Sequence, residues 1–377
     1  MNNRLAQRLH NKSLGKDVAF VVLDAETQRV VASRLADKPM LPASNMKIVT
    51  AINTLSTMPP TQAFTTSVFP SAEPGHVILQ GGGDPLLTTK NLRALADQTA
   101  AVIDHAAPVV VDTDVNLLPK SSKGPGWTNG YIPSVVSPVV ALGRLGDYSR
   151  IPVQHARDTF VSELRAAGVQ VSVGGEVDVP SGTTPLVSIS PHTVADAVRL
   201  MLRDSENNIA ELLYRHVALA TGHPATWKGA EQAALANLDA LGIDRTAVTL
   251  ADGSGVSRND RLTAVTLASL LRLASATDPA RYSTMFDPGA MPTSGVDGTL
   301  ASRLHRYSAK PSACAKGLIR AKTGTLFDTI ALSGTASDAD GRLKIFSFLV
   351  NDRPQRTTPL QTRQAVDGLA ATVTGCW

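Results

Sequence analysis

The sequence predicts an α+β fold in which one antiparallel sheet, flanked by helices, is split by an inserted, mostly β domain. Three observations predict it. Apolar, β-branched runs stand at the two ends of the chain, at 17–34 and again at 329–351. Helical periodicity fills much of 194–276. Between them, from Phe64 to about Pro185, short β-branched runs are punctuated by Gly and Pro.

The first run, Val18-Ala-Phe-Val-Val-Leu23, a polar turn at Asp24 to Gln28 and Val30-Val-Ala-Ser33, reads as a strand hairpin. Pro42 then precedes a helical stretch from Ala43 to about Thr57 that Pro59-Pro60 ends. In the middle segment the strand candidates are Val77-Ile-Leu79, Val109-Val-Val111 and Val169-Gln-Val-Ser-Val173, with one helix expected at about 156–167. Helices follow at 194–203, 208–220, 228–241 and 263–276, then strands near 329–335 and 343–351, and a last helix near 360–373. The terminal strands are expected to share one sheet. Residues 1–65 and 186–377 would form the first domain, and 66–185 the inserted one.

Composition narrows the function classes. The chain has 377 residues, 43% of them hydrophobic, which is enough for a large core. No run approaches the roughly 18 apolar residues that a membrane-spanning helix needs. Net charge is +4, but aromatics are only 4% and no Lys/Arg cluster is interleaved with them, which argues against nucleic-acid binding. Cys314 and Cys376 are too few for a disulfide framework or a four-cysteine zinc site. Their spacing leaves a single bridge and two free thiols equally open. Met1 to Gly15 is polar and basic, without the apolar core of an export signal.

Three short motifs carry the chemistry. Ser44 and Lys47 stand at i and i+3, on one face of the expected helix. A serine hydroxyl needs a base within hydrogen-bond reach, and Lys47 can serve when burial and a nearby cation favour its neutral form. Lys322 is the expected cation. Ser205-Glu206-Asn207 offers a hydroxyl to relay a proton to a leaving amine and an amide to hold Lys47. Lys322-Thr323-Gly324-Thr325 offers a cation and two hydroxyls for a terminal carboxylate, with Gly324 allowing close approach. Backbone N–H groups of Ser44 and Thr325 are the expected oxyanion hole. Alone, each motif reads as an ordinary cap or turn. Together, in this order, they form a kit for attacking an amide next to a free carboxylate.

The set resembles that of penicillin-binding proteins and serine β-lactamases. Within them the chain is similar to the class C low-molecular-mass penicillin-binding proteins, which are D-alanyl-D-alanine carboxypeptidase/endopeptidases. The matching stretches are Leu41-Pro-Ala-Ser-Asn-Met-Lys47, Gly82-Gly-Asp-Pro85, Pro125-Gly-Trp127, Ser205-Glu-Asn-Asn208 with Ala210-Glu211, Asp252-Gly-Ser-Gly-Val-Ser-Arg258, Gly295-Val-Asp-Gly-Thr-Leu300 and Ala321-Lys-Thr-Gly-Thr-Leu326. They span about residues 17 to 350, and the long gap from Lys47 to Ser205 matches the inserted domain of that branch.

The resemblance implies a DD-peptidase/serine β-lactamase-like catalytic domain. It also implies cleavage of the D-Ala-D-Ala bond of peptidoglycan stem peptides through an acyl-enzyme on Ser44, acylation by β-lactams, no cofactor or metal, and work on the cell-wall side of the membrane. Asp252 and Arg258 would lie on a loop lining the cleft, where Arg258 would meet a stem-peptide side chain. Glu206 stands where Asp is frequent, with its side chain expected to point away from the chemistry.

Other classes fit less well. The sequence has no Gly-x-Ser-x-Gly elbow and no His-Glu-x-x-His pattern. Gly124-Pro-Gly-Trp-Thr-Asn-Gly130 has the wrong spacing for a dinucleotide loop, and Gly81-Gly82-Gly83-Asp84 reads as a strand-end turn. A β-lactamase would need a deacylating water, and no Glu-x-x-Leu-Asn segment is present to position one, so a penicilloyl adduct should be long-lived. A non-hydrolytic sensor of β-lactams or wall fragments would have no use for Ser205 and Asn207 as leaving-amine machinery.

Overall fold

Two five-stranded sheets organise the chain, each with helices against it. The computed structural model describes residues 1–104, 106–120 and 123–377. The chain opens with α1 (Asn2–Arg8), β1 (Asp17–Asp24) and β2 (Val30–Arg34), and a 3-10 turn at Ala43–Asn45 leads into α2 (Met46–Thr57). The second sheet and its helices follow: β3 (Ala63–Pro70), β4 (His76–Gln80), α3 (Thr89–Ala100), β5 (Val109–Asp114), α4 (Pro152–Ala166), β6 (Val171–Glu176) and β7 (Val187–Thr193). Then come α5 (Val194–Asp204), α6 (Asn207–Ala220), α7 (Trp227–Ala240) and α8 (Ala264–Arg272). The chain closes with β8 (Ile319–Thr325), β9 (Ile330–Ser337), β10 (Leu343–Asn351) and α9 (Pro359–Val373).

The first sheet runs β2-β1-β10-β9-β8 and is antiparallel throughout. As expected, the strands from the two ends of the sequence meet, with Phe20 opposite Phe348 at the β1/β10 seam. Both faces of this sheet are covered, so its central strands are apolar on both sides. Alternation then sorts side chains between two cores. Ala19, Val21, Ile345 and Leu349 face the core built with α2 and α5 to α8. Val18, Phe20, Val22, Phe346, Phe348 and Val350 face the core built with α9 and Leu5 of α1. Helix α2 lies so deep that ten of its twelve residues are buried, Lys47 among them. Capping boxes start α5 at Thr193/Asp196 and α9 at Thr358/Gln361, where Pro359 fixes the first turn.

The second sheet runs β6-β5-β4-β3-β7 and is mixed. β3 pairs antiparallel with β4 and β7, whereas β4/β5 and β5/β6 are parallel. Parallel neighbours need a crossover, and each crossover here contains a helix. α4 answers to the one helix expected in this segment. α3 was not expected: Leu92, Leu95, Ala96 and Thr99 give it a buried stripe at helical spacing, and the sequence reading passed over that stripe among turn residues. The segment is therefore less purely β than its Gly and Pro content suggests. β3 and β7, where the chain enters and leaves it, pair across the proposed boundary at 185/186.

Cys314 and Cys376 are bridged, with Cα atoms 6.0 Å apart, which ties the end of the chain to the turn before β8. Nearby, Arg306 (4% exposed) and Asp367 (0%) form a two-pronged buried pair at 2.7 and 2.5 Å. Removing one partner of such a pair strands a charge in the core. Asp367→Ala should therefore lower stability by about 3–5 kcal/mol, read as a fall in melting temperature. An unchanged melting temperature would show that Arg306 finds water or another acceptor.

Candidate active site

The three motifs converge on one cavity between the first sheet and the helices of its α2 side. Ser44 stands in the 3-10 turn Ala43–Asn45 and Lys47 in the first turn of α2. Two close approaches hold that turn. A Cβ on Gly324 of β8 would come within 2.9 Å of the Pro42 carbonyl oxygen and 3.1 Å of the Ala43 Cβ. At Gly255, where φ is +82°, it would sit 1.9 Å from the Ala43 carbonyl oxygen. Gly324 was expected to make room for substrate; its bare Cα instead lets β8 press against the turn that carries Ser44. Asn45 Nδ2 adds a hydrogen bond to the Lys322 carbonyl at 3.1 Å.

Lys47 is the centre of the site. It is 0% exposed, and its Nζ reaches three oxygens: Ser44 Oγ at 3.0 Å, Asn207 Oδ1 at 2.7 Å and the Ser254 carbonyl at 2.8 Å. Burial pushes its pKa down to about 8, against the opposing charges of Glu211, Asp252, Glu206 and Asp260. Asn207 Nδ2 donates to the Val135 carbonyl at 2.8 Å, which fixes the amide with its oxygen towards Lys47. Lys322 is likewise 0% exposed, and its Nζ donates to the Thr323 carbonyl at 2.9 Å. Burial, and then the charge of Lys47, push its pKa well below that of a free lysine. Lys322 was expected to lower the pKa of Lys47; burial does this instead, and the effect of one amine on the other is seen on Lys322.

Those carboxylates form a layer that sequence reading missed. Glu211, Asp252 and Asp260 are all fully buried. Glu211 accepts from the Gly253 and Ser254 N–H groups at 3.1 and 2.8 Å, and so positions the carbonyl that holds Lys47. Burial, and then Asp252, push the pKa of Glu211 up; Asp260 is pushed up for the same two reasons. Asp252 was expected to line the cleft. It instead braces its own loop, accepting from the Gly255 and Ser257 N–H groups and from Trp127 Nε1, each within 2.8 Å.

Ser205 sits between α5 and α6 in the left-handed region, with φ +63°. That kink brings its side chain to the cavity wall together with Ser44 and Asn207. Glu206 turns aside as expected and accepts from the Tyr148 hydroxyl at 2.6 Å. Arg258 is not brought to the cavity. Its guanidinium is taken by Asp328 in a bidentate pair, both contacts at 2.7 Å, so its charge is already satisfied.

The open cavity, of about 470 Å³, is lined by Ser44, Ser205, Asn207, Thr323 and Thr325 from the motifs and by Thr299, Arg303, Leu304, His305, Arg306, Leu360 and Arg363. Thr299 lies within Gly295-Val-Asp-Gly-Thr-Leu300, where a motif signal existed, and its hydroxyl bonds to that of Thr323 at 2.8 Å. Arg363 on α9 had no local signal. Its Nε donates to Thr325 Oγ1 at 3.1 Å. Among the described residues no group of three or more His, Cys, Asp or Glu is arranged to hold a metal ion, and no helix is long and apolar enough to cross a membrane.

Comparison with known proteins shows the family of the chain and relatives of its fold. The D-Ala-D-Ala carboxypeptidase 3 (S13) family matches residues 1–145 and 129–373. Carboxypeptidase DacB of Mycolicibacterium smegmatis is 30% identical over 99% of this chain and 83% of its own length. The D-alanyl-D-alanine carboxypeptidase of an Actinomadura species is 26% identical over 92% of this chain and 79% of its own. Penicillin-binding protein 4 (DacB) of Haemophilus influenzae superposes with a TM-score of 0.85 at 19% identity, covering 99% of this chain and 100% of that one. A predatory peptidoglycan endopeptidase of Bdellovibrio bacteriovorus has the same fold, with a TM-score of 0.65 at 16% identity over 96% and 93% of the two chains. The chain belongs to the D-Ala-D-Ala carboxypeptidase 3 (S13) family of peptidases.

Proposed function

We propose that the protein is a serine D-alanyl-D-alanine carboxypeptidase that acts on peptidoglycan stem peptides through an acyl-enzyme on Ser44, and that β-lactams acylate the same serine. The observation that carries this reading is the 3.0 Å contact between Lys47 Nζ and Ser44 Oγ, at a cavity also lined by Thr323 and Thr325. Neutral Lys47 takes the Ser44 proton as Oγ attacks the scissile carbonyl carbon. The carbonyl oxygen becomes an oxyanion held by the Ser44 and Thr325 N–H groups, each such donor being typically worth about 3 kcal/mol. The tetrahedral adduct collapses with cleavage of the C–N bond, and the departing amine takes a proton that Lys47 passes on through Ser205. Water then attacks the ester on Ser44, with Lys47 again as base, which frees the shortened peptide. The carboxylate of the leaving residue lies against Lys322-Thr323-Gly324-Thr325. The same steps would open a D,D-cross-link between stem peptides. Such substrates place the work on the cell-wall side of the membrane.

The test is D-alanine release from a stem-peptide analogue ending in D-Ala-D-Ala, with penicillin labelling followed in parallel. Wild type should release D-alanine and form one covalent adduct, and Ser44→Ala should do neither. Labelling of wild type without D-alanine release would replace the carboxypeptidase with a sensor or a cross-link-specific endopeptidase. Labelling that survives in Ser44→Ala would move the nucleophile elsewhere.

The carboxylate layer generates a second expectation. Glu211→Ala leaves the buried N–H groups of Gly253 and Ser254 without an acceptor, at about 1–3 kcal/mol each, and releases the carbonyl that anchors Lys47. D-alanine release should fall at least about tenfold, with a lowered melting temperature. Wild-type kinetics in this variant would show that the Ser254 carbonyl is held by other means.

A further inference from the structure

Three arginines line the cavity that holds Ser44, and they are not equivalent. The charge of Arg306 is spent inside the fold, on Asp367. Arg303 stands exposed at the 3-10 turn Ser302–Leu304. Arg363 is half-buried on α9, one turn before Asp367. Its Nε donates to Thr325 Oγ1 at 3.1 Å. A guanidinium has five N–H donors, and the other four of Arg363 take no hydrogen bond among the described residues. No carboxylate forms a direct ion pair with it there either: Asp367 is near enough to favour its charge, but the Asp367 oxygens are engaged by Arg306.

The bond to Thr325 does two things. It fixes the plane of the guanidinium beside the Lys322-Thr323-Gly324-Thr325 strand. It also uses Thr325 Oγ1 as an acceptor, which leaves that hydroxyl's own proton free to donate to a ligand. Lys322, the cation expected for this task from sequence, is less suited to it. Its amine is fully buried, already donates to the Thr323 carbonyl and shares its surroundings with Lys47. A guanidinium keeps its charge at every pH the protein meets and matches a carboxylate with paired N–H groups.

We propose that Arg363 is the charged group that recognises the free carboxylate beside the scissile amide, with Thr325 donating the accompanying neutral hydrogen bond. This makes Arg363 the residue that selects for a free carboxylate, and it rests on the acyl-serine reading above. The same planar carboxylate comes from two sources, the C-terminus of a stem peptide and the ring carboxylate of a penicillin.

The two sources supply the arms of the test. Acylation by benzylpenicillin and by its methyl ester is followed on the intact protein by mass spectrometry, in wild type, Arg363→Gln and Arg363→Lys. kcat and KM for D-alanine release from the peptide acid are measured alongside. Arg363→Gln should slow acylation by the acid roughly ten- to a hundredfold, the usual worth of hydrogen bonds to a charged group. Acylation by the ester should stay within about twofold, because only the charged contact is lost. For the peptide, KM should rise more than kcat falls, and Arg363→Lys should recover part of the loss. Equal slowing of acid and ester would overturn the proposal and leave Arg363 as a brace for Thr325. An unchanged acid rate would overturn it outright. Wild type that takes up penicillin but releases no D-alanine would sink the carboxypeptidase reading, while the acid-to-ester ratio still decides the role of Arg363.

Discussion

The buried amine of Lys47, held at 2.7 to 3.0 Å by three oxygens, is the constraint on which the rest of the site depends. Those oxygens come from three separate parts of the chain: the 3-10 turn before α2, the start of α6, and the loop that follows Leu250. An ammonium with no exposure is costly unless it is satisfied, so these segments must meet at Lys47 for any of them to be stable there. Burial at the same time moves the amine towards the form that can accept a proton. The stability requirement and the proposed chemistry thus point to one arrangement. The carboxylate layer beneath, with Glu211 bonded to the Gly253 and Ser254 N–H groups, holds that loop from the side away from the cavity.

The segment between Lys47 and Ser205 bears on this arrangement directly. Val135 accepts from Asn207 Nδ2, and the Ser137 N–H donates to Asn208 Oδ1 at 2.8 Å. Trp127 Nε1 donates to Asp252, and the Pro125 carbonyl accepts from Ser257 Oγ at 2.7 Å. Tyr148 holds Glu206. The insertion therefore braces the starts of α6 and of the Asp252 loop from outside the first domain. Its Pro125-Gly-Trp127 stretch belongs to this brace; in Gly82-Gly-Asp-Pro85, a Cβ at Gly82 would lie 1.7 Å from the Thr65 carbonyl oxygen of β3, and the Gly83 carbonyl accepts from His216 Nε2 in the body of α6 at 2.9 Å.

Much of this was legible in the sequence, and the reasons are local. Ser44 and Lys47 are one helical turn apart, and Lys322 to Thr325 lie on one strand, so their relation survives any arrangement of the rest. The apolar runs of β1 and β10 announced strands that share one sheet flanked by helices. What was not legible depends on tertiary placement. Arg363 reaches Thr325 from 38 positions further along the chain, with no pattern to link them. Arg258 sits in a stretch that suggested a cleft residue, yet Asp328, 70 positions away, takes its charge. Asp252 and Glu211 lie within motif-bearing stretches, but which backbone N–H groups they serve follows from how α6, the Asp252 loop and the insertion meet. Helix α3 was missed for a different reason: its buried stripe was present and was outweighed by the Gly- and Pro-rich flanks.

The most direct test of Lys47 as the base is the pH dependence of penicillin acylation between pH 6 and 10. A base acts when unprotonated, and burial holds the Lys47 amine at about 8. The second-order rate constant should therefore rise about tenfold per pH unit at the acid end and level off above about pH 8. A rate that is flat across this range, or that falls as pH rises towards 8, would contradict a neutral Lys47 as the group that activates Ser44.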